Sequence, residues 1–426
     1  MRCVWILLVV ILLGAASAEA LPTFARRYQT TCSTCHVSIP KLNVFGVAFR
    51  NNGFRLPQND AKFVKVPDQE LGAPGWKQLW PRAVWPGAMP GALPVALRLT
   101  EDAILKPSGP VTLDFRFPSA VALYFAGPLG DTISVLGGIR FSGTTNTFLL
   151  TRTYVQFRLM PETPGQNWLT LKVGRIDTRA QPFSSVFRRV TARDFGVNDF
   201  RAVPGGFALG DNDAGLELWG AATGPGNRGG LEYAVGVVQG TSGRPEDNNA
   251  KDFYGSISLK LGGLGVVGSR NAEGAADADD SSDEYSLTVG AFGYSGGRGS
   301  VTGGEPANRF HRVGLKADVW AGRLNVFGAW TKGEDTPRSY ASASVTSTAA
   351  MVQADYVLLP WIMPMFRVER TASSVGSTET VVVPAVNVLV RSNVRLLGEA
   401  QVFTAPPAPG STTQGNQGTI RLELLF

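Results

Sequence analysis

Two cysteines and a histidine lie close together near the N-terminus of this chain of 426 residues. Cys32 and Cys35 are separated by two residues, and His36 directly follows the second cysteine. This is the spacing at which a c-type haem is attached, because both thiols add to the haem vinyl groups and the histidine ligates the iron. The motif therefore predicts one covalently bound haem c, held by Cys32, Cys35 and His36.

Other interpretations of the cysteine pair leave part of the sequence unexplained. A thioredoxin-like redox pair belongs at the start of a helix in a βαβ unit, and no such pattern follows. A structural zinc site needs four ligands, normally Cys and His, but the other candidates are Cys3, in the leader, and the distant His311. A plain disulfide would leave His36 without a role. These points favour haem attachment.

A leader precedes the motif. Residues 1–20 carry Arg2, an apolar run from Val4 to Leu13, and small residues with candidate cleavage sites after Ala18 or Ala20. This pattern predicts a secretory signal peptide, whose apolar part is too short to span a bilayer as a helix. Export agrees with the haem prediction, because bacteria attach c-type haem on the outer side of the inner membrane.

The residues after the motif predict a short helix beside the haem. A helix that begins at Pro40 and ends near Gly53 places four residues on one face: Leu42, Phe45, Gly46 and Phe49. We expect this face to pack on the haem, which must supply much of the buried apolar surface of so small a unit. Residues 21–90 are thus predicted to form a c-type cytochrome module with a linker.

The same stretch carries a resemblance to a known family. The residues concerned are Leu21, Pro22, Thr23, Phe24, Ala25 and Arg26, the motif at 32–36, and then Pro40, Leu42, Asn43, Phe45, Gly46, Phe49, Gly53 and Phe54. This run resembles the N-terminus of the fused outer-membrane monohaem cytochrome-porins of iron-oxidising bacteria. The resemblance implies a haem module in front of a single-chain β-barrel, and a ferrous iron oxidase that takes electrons from iron outside the cell.

The sequence leaves the second axial ligand of the haem iron open. Met89, in the Pro/Gly-rich run 86–90, is the nearest candidate, although a methionine in such a run is more often only part of a linker. His311 is a poor candidate because it shares one strand face with Val313 and Leu315. We expect that face to lie toward lipid.

From residue 91 to the end, apolar and polar residues alternate. Such segments of about ten residues, separated by Gly, Pro and Asn turns, predict a transmembrane antiparallel β-barrel with an apolar outside and a polar lumen. A soluble sandwich would also alternate. The chain ends, however, as bacterial outer-membrane proteins typically do, with four apolar residues on one strand face: Ile420, Leu422, Leu424 and Phe426.

The alternation predicts an all-β fold of about sixteen strands over residues 91–426. An even number of strands puts both chain ends in the periplasm, and outer-membrane lipid around the barrel. The strands are expected near residues 95–104, 113–126, 132–142, 149–160, 168–176, 214–222, 231–239, 253–261, 284–295, 308–320, 323–332, 348–358, 362–371, 379–390, 394–403 and 418–426.

Two predicted connections leave alternatives open. The longest, 177–213, either folds into the lumen, where it would narrow the pore or cap a haem, or forms an ordinary mixed-charge surface loop. The connection 262–283 and Glu284 together carry an acidic run. This run is either a solvated insertion, with the strand count then uncertain by two, or a docking site for a basic electron carrier.

Composition excludes several classes of protein. The chain has 50 glycines, 27 prolines and only 17% charged residues, which does not suit a helical enzyme. After the leader, no apolar run of 18 residues suggests a membrane-spanning helix. The net charge of +6 comes without a clustered basic stripe, so nucleic-acid binding receives little weight.

The two predicted units together suggest a function. The apolar band of a barrel is about 25 Å tall, so a haem left wholly in the periplasm could not exchange electrons with a donor outside. We therefore expect the haem module to enter the lumen and the barrel to act as an insulating sheath. Electrons would pass from ferrous iron or an iron chelate to a periplasmic carrier. No acid–base pair is needed, so no catalytic residue is assigned.

Two alternatives to iron oxidation remain. The chain could be a diffusion porin with a structural or regulatory haem, or an electron conduit for a different extracellular donor or acceptor. Cations on the lumen-facing side of the predicted strands would serve either function, because they could select solutes or pair with haem propionates. These cations are Arg152, Arg158, Lys172 and Arg421.

Overall fold

The fold is a closed barrel that surrounds an N-terminal segment. The computed structural model describes residues 23–56, 60–66, 69–70, 88–89, 91, 94–107, 111–160, 166–241, 245–268, 284–301, 304–338, 344–376, 378–404 and 415–426. For residues 69–70 and 88–89 only the backbone is described. The predicted signal peptide lies outside the described residues.

Sixteen strands form the barrel. Each pairs antiparallel with its neighbour in sequence, and the last strand pairs with the first to close the sheet. The strands are β5 Val95–Leu105, β6 Leu113–Leu129, β7 Ile133–Ser142, β8 Thr147–Arg158, β9 Gln166–Ile176, β10 Asp213–Thr223, β11 Arg228–Val238, β12 Asp252–Leu264, β13 Tyr285–Ser300, β14 Pro306–Ala321, β15 Leu324–Pro337, β16 Val345–Tyr356, β17 Ile362–Ser373, β18 Glu379–Arg391, β19 Val394–Phe403 and β20 Gln417–Leu425. The predicted all-β class and the count of sixteen strands are confirmed.

The strands separate apolar from polar residues by period-two alternation. On β14, Val313 and Leu315 are more than half exposed on the outer face, whereas Phe310 and Arg312 are buried on the lumen side. His311 lies on the outer face, 3.4 Å from Glu334. The outer face therefore has the apolar character that a transmembrane barrel presents to lipid.

Exposed aromatic side chains lie toward both ends of the barrel. We call one end the terminal rim, because Val95 and Leu425 lie there, and the opposite end the loop rim. Exposed aromatic residues at the terminal rim include Trp168, Tyr285, Tyr356 and Trp361. Aromatic girdles at this position are typical of transmembrane barrels, where the rings lie at the level of the lipid headgroups.

The N-terminal segment, residues 23–66, contains three short helices and two short strands. They are α1 Thr23–Tyr28, β1 His36–Ser38, β2 Lys41–Leu42, α2 Val44–Asn51 and α3 Asp60–Phe63, with a 3₁₀ turn at Cys32–Thr34. The prediction that a helix begins at Pro40 is wrong. The helix begins after Asn43, whose side chain accepts a hydrogen bond from Gly46 N at 2.8 Å and so caps it.

The N-terminal segment contacts the lumen side of the barrel wall at several strands. Lys41 Nζ donates to Asn325 Oδ1 on β15 at 2.6 Å and to Asp355 Oδ2 on β16 at 2.5 Å. Asn51 Nδ2 donates to Glu232 Oε1 on β11 at 2.6 Å. Asn167 Nδ2 on β9 donates to Asn51 O at 3.0 Å. The segment thus lies inside the barrel.

The connection between β9 and β10 also folds into the barrel. We call residues 177–212 the inserted segment; it contains α4 Gly196–Asp199. Arg188 Nη1 lies 2.6 Å from Asp318 Oδ2 on β14, and Arg193 Nε lies 2.8 Å from Glu369 Oε2 on β17. Of the two alternatives for this connection, the structure therefore selects the lumen over the surface.

The acidic connection is described only in part. Residues 269–283, which include Asp277, Asp279, Asp280 and Asp283, lie outside the described residues. Glu284 is buried: it accepts a hydrogen bond from Leu264 N at 3.0 Å and lies 2.7 Å from Lys260 Nζ. Glu284 therefore does not belong to an exposed docking surface.

Among the described residues, no helix is long and apolar enough to cross a membrane.

Residues 69–70 and 88–89 form the last two strands of the N-terminal region, β3 Gln69–Glu70 and β4 Ala88–Met89. These two strands pair antiparallel, with Gln69 opposite Met89.

Candidate functional site

An apolar cavity of about 400 Å³ lies between the N-terminal segment and the barrel wall. We call it the motif cavity, because Cys32, Cys35 and His36 all line it. The four residues predicted to share a helix face also line it: Leu42, Phe45, Gly46 and Phe49. Its volume falls in the range of cofactor-binding pockets, and its apolar lining suits a flat apolar macrocycle.

The orientation of His36 suits it for binding a metal. Its Nδ1 lies 3.3 Å from Pro40 O, and since a carbonyl oxygen only accepts, Nδ1 must carry the proton. Nε2 then carries the lone pair that a metal ion requires. Burial lowers the pKa of His36 to about 4, so the ring is neutral at neutral pH and its lone pair is available.

Cys32 and Cys35 are free thiols in the structure. Burial raises the pKa of the Cys35 thiol to about 12, with the neighbouring Cys32 adding to the effect. The loop that carries them is fastened to the start of α2. Asn43 Nδ2 donates to Ser33 O at 3.2 Å and to Thr34 O at 3.0 Å. Asn43 therefore caps the helix and holds the motif at the same time.

Gly46 lets the motif rest directly on α2. A Cβ atom added at this position would lie 2.2 Å from Cys35 O and 3.0 Å from Leu42 Cδ2. The contacting oxygen belongs to the backbone, so it cannot rotate away as a side chain could. Only glycine therefore allows the carbonyl of Cys35 to come this close to the helix.

Aromatic side chains supply one side of the motif cavity. The rings of Phe24 and Phe54 stack with centroids 5.3 Å apart, and Phe24 meets Phe49 edge to face at 5.1 Å. Tyr28 packs against Phe49 at 5.7 Å, and its hydroxyl donates to Asp60 Oδ1 at 2.6 Å. These rings give the cavity a dry wall, and their geometry is favourable for aromatic pairs.

The four cations predicted to face the lumen have different partners. Of these four cations, only Arg152 is among the described residues that line the motif cavity. Lys172 Nζ donates to Glu217 Oε1 at 2.8 Å, and Arg158 Nη2 donates to Gln166 O at 2.9 Å. Arg421 forms two hydrogen bonds with Asp102, at 2.6 and 2.9 Å.

Sequence reasoning missed several residues of the site, among them Arg50 and Phe187. Arg50 lines the motif cavity from α2, and Phe187 reaches it from the inserted segment. The guanidinium of Arg50 lies 4.8 Å from the centre of the Phe187 ring. Arg50 directly follows Phe49 of the apolar helix face, and this adjacency was only a weak indication that it lies near the cavity. Phe187 carried none, because its position depends on the path of a long connection.

Met89, the candidate second axial ligand, is described only through its backbone. It lies in β4, and its side chain is outside the described residues. His311 lies on the outer face of the barrel, away from the motif cavity. In the described part of the chain, no three His, Cys, Asp or Glu side chains cluster in a way that could hold a metal ion.

These features define a porin-type barrel whose lumen contains an N-terminal segment with two cysteines and a histidine beside an apolar cavity. An anion-selective porin from Comamonas acidovorans has the same fold; it is 12% identical, with 78% of this chain and 98% of that chain covered and a TM-score of 0.53. OmpF of Salmonella typhi, solved in complex with daunomycin, is 9% identical, with 78% and 97% covered and a TM-score of 0.53. Identities this low show the fold alone. No family model and no curated protein matches the chain.

Proposed function

We propose that this chain is an outer-membrane electron-transfer cytochrome, with a covalent haem c enclosed by a porin-type barrel. The observation that supports this most is the convergence of Cys32, Cys35 and His36 on one apolar cavity. The resemblance of the N-terminal residues to monohaem cytochrome-porins suggests which substrate donates the electron. Ferrous iron outside the cell is the electron donor, a periplasmic carrier is the acceptor, and the activity is that of a ferrous iron oxidase.

The residues of the site have distinct tasks in this proposal. Cys32 and Cys35 would hold the cofactor by thioether bonds, and His36 Nε2 would ligate its iron. When bound, the haem would supply a one-electron iron couple. The aromatic wall formed by Phe24, Phe49 and Phe54 excludes water from the cavity. Met89 is kept as the candidate for the second axial position.

The contents of the lumen favour an electron over a solute as the transported species. The N-terminal segment contacts β9, β11, β15 and β16, and the inserted segment contacts β14 and β17. Two segments therefore occupy space that an open porin leaves to water. In this proposal the barrel insulates the site, and the ferric product stays outside the cell.

Attachment of the haem is tested first. The full chain is produced with its leader in a bacterium that matures c-type cytochromes, and the purified protein is stained for haem after denaturing electrophoresis. We expect a stained band for the wild type and none for the double variant Cys32→Ser, Cys35→Ser. A wild-type band without haem would rule out the proposal.

The electron donor is tested next by stopped-flow absorption. The oxidised protein in detergent is mixed with ferrous iron, and the haem bands are followed. Rapid, complete reduction supports an iron oxidase, whereas reduction by dithionite alone points to another donor. Conductance in a planar bilayer addresses the porin alternative: an open channel of the size found in general porins would favour diffusion of solutes.

A further inference from the structure

A second cavity, of about 240 Å³, adjoins the motif cavity and differs from it in charge. It lies between α2, the inserted segment and strands β8 to β14, and we call it the basic chamber. Leu42, Arg50 and Phe187 line both cavities, so the two share a wall. The charged residues of the basic chamber are Arg50, Lys172, Arg179, Arg188, Lys260 and Lys316, with Asp177, Glu232 and Asp318.

Most of these cations have carboxylate partners. Lys172 and Arg179 both reach Glu217, Arg188 pairs with Asp318, and Lys260 pairs with Glu284. Arg179 also lies 3.8 Å from Glu232, and Arg152 lies 3.0 Å from Asp177.

Two cations remain without such a partner. No carboxylate among the described residues lies within ion-pair distance of Arg50 or Lys316. The charged residues of the chamber and their ion-pair partners Arg152, Glu217 and Glu284 together make seven cations and five carboxylates. Uncompensated charge on partly buried side chains such as these is costly, because the surroundings screen it less than water does. The chamber therefore favours an anion with about two negative charges.

Arg50 lines both cavities, and Arg152 lines the motif cavity and pairs with Asp177 of the basic chamber. Their guanidinium groups lie 4.8 and 6.0 Å from the centre of the same ring, that of Phe187. Nη1 of Arg152 is buried and has no hydrogen-bond partner among the described residues. A buried donor of this kind is unfavourable unless a ligand supplies its acceptor.

We propose that Arg50 and Arg152 bind the two haem propionates, so that the carboxylate edge of the cofactor faces the basic chamber. This inference rests on the proposed function. The chemistry of the two cavities matches the two parts of the cofactor: an apolar macrocycle beside the thiols and His36, and two carboxylates at the arginines. Arginine suits this task because its planar guanidinium can hold a carboxylate by two parallel hydrogen bonds.

The proposed contact has a consequence for the redox chemistry. Positive charge beside the haem favours the reduced iron, which carries one positive charge less. Arg50 and Arg152 therefore raise the midpoint potential, and they keep the propionates ionised to lower pH. They act through charge and hydrogen bonds on the cofactor itself.

The test compares Arg50→Gln and Arg152→Gln with Arg158→Gln. Arg158 is a matched control, because it lies on the same strand and the same inward face as Arg152 but donates to Gln166 O. Midpoint potentials are measured as a function of pH, and resonance Raman spectra are recorded in the region of the propionate bending bands. We expect a lower midpoint potential and shifted propionate bands in the first two variants, and neither change in the control.

Two further comparisons make the outcome decisive. Arg50→Lys and Arg152→Lys keep the positive charge but lose the planar guanidinium. The midpoint potential should therefore return most of the way to the wild-type value, while the propionate bands stay shifted. If the glutamine variants keep the wild-type potential and bands while they hold haem, the inference is overturned and the proposed function stands. If the wild type attaches no haem, the proposed function itself fails.

Discussion

At the residue scale, the position of the Cys32–His36 motif depends on Asn43 and Gly46, two small neighbours that do no chemistry. Asn43 caps α2 and ties down the carbonyl groups of the motif loop. Gly46 gives Cys35 O room directly above the helix. Both residues hold the thiols and the imidazole in place, which would reduce the conformational entropy lost if a cofactor binds there.

Gly46→Ala tests this arrangement. In an open helix position the change would stabilise by up to about 1 kcal/mol, because alanine is the better helix former. Here the added Cβ would lie 2.2 Å from a backbone oxygen. The steric cost therefore outweighs the gain in helix propensity, and the net change in stability is a loss. We expect a loss of stability of roughly 1–3 kcal/mol, as for overpacked sites. Thermal unfolding in detergent measures the loss of stability, and haem stain per unit of protein measures whether the motif still attaches haem.

Gly398→Ala is the control for this substitution. Its added Cβ would meet only Val386 Cγ1, at 3.7 Å, which is an ordinary contact with a side chain. The control should therefore keep its haem content and unfold close to the wild-type temperature. Equal behaviour of the two alanine variants would show that the close approach at Gly46 has no consequence.

At the element scale, the inserted segment is held in the lumen by buried carboxylates of the barrel wall. Glu369 accepts hydrogen bonds from Gly196 N at 2.7 Å and Arg193 Nε at 2.8 Å, and it also lies 3.0 Å from Arg367 Nε. Glu399 accepts from Ala192 N and Arg193 N. The segment thus has a defined place, which fits its contribution of Phe187 to the motif cavity.

Removal of Glu369 should release this segment. Glu369→Ala leaves Arg367 buried without its carboxylate partner, and the loss of one partner of a buried pair typically costs about 3–5 kcal/mol. We expect faster tryptic cleavage within residues 188–201 and larger channel conductance than in the wild type. Limited proteolysis with mass spectrometry and bilayer recordings measure these effects.

Glu305→Ala provides the comparison for the inserted segment. Glu305 lies near the loop rim and pairs with Arg309 and Arg338, with half of its side chain exposed. Surface pairs contribute about 0–1 kcal/mol, so this change should leave cleavage and conductance as they are. Identical cleavage patterns in all three proteins would mean that Glu369 does not hold the segment.

At the scale of the whole molecule, the barrel and its contents form one unit through contacts that are far apart in sequence. Lys41, in the N-terminal segment, is almost completely buried between Asp355 and Asn325. Its ammonium also lies 4.9 Å from the ring of Trp320 and 5.3 Å from that of Phe327. Burial of both partners makes the Lys41–Asp355 pair sensitive to the loss of either one.

A double-mutant cycle on Lys41 and Asp355 measures this coupling. Lys41→Met leaves Asp355 as a buried, unpaired carboxylate, so we expect a loss of about 3–5 kcal/mol. The double variant Lys41→Met, Asp355→Leu removes both charges and should recover much of that loss. Unfolding in detergent gives the free energies, and additive effects of the two single changes would contradict a direct pair.

Some features of this protein follow from its sequence alone, because they depend on local spacing. The distance between Cys32, Cys35 and His36 along the chain predicts the attachment chemistry, and period-two alternation assigns residues such as Val313 and Arg312 to opposite faces of a strand. The same alternation predicts all sixteen strands, since the pleat fixes which side chains point inward.

The site required the tertiary structure, because its parts come from distant stretches of chain. Four cations were predicted to face the lumen, yet Arg152 reaches the motif cavity whereas Arg421 is bound by Asp102. Phe187 reaches the same cavity only because the inserted segment turns inward. The sequence shows which side chains face inward, but the closure of the sheet and the path of that segment decide which of them meet.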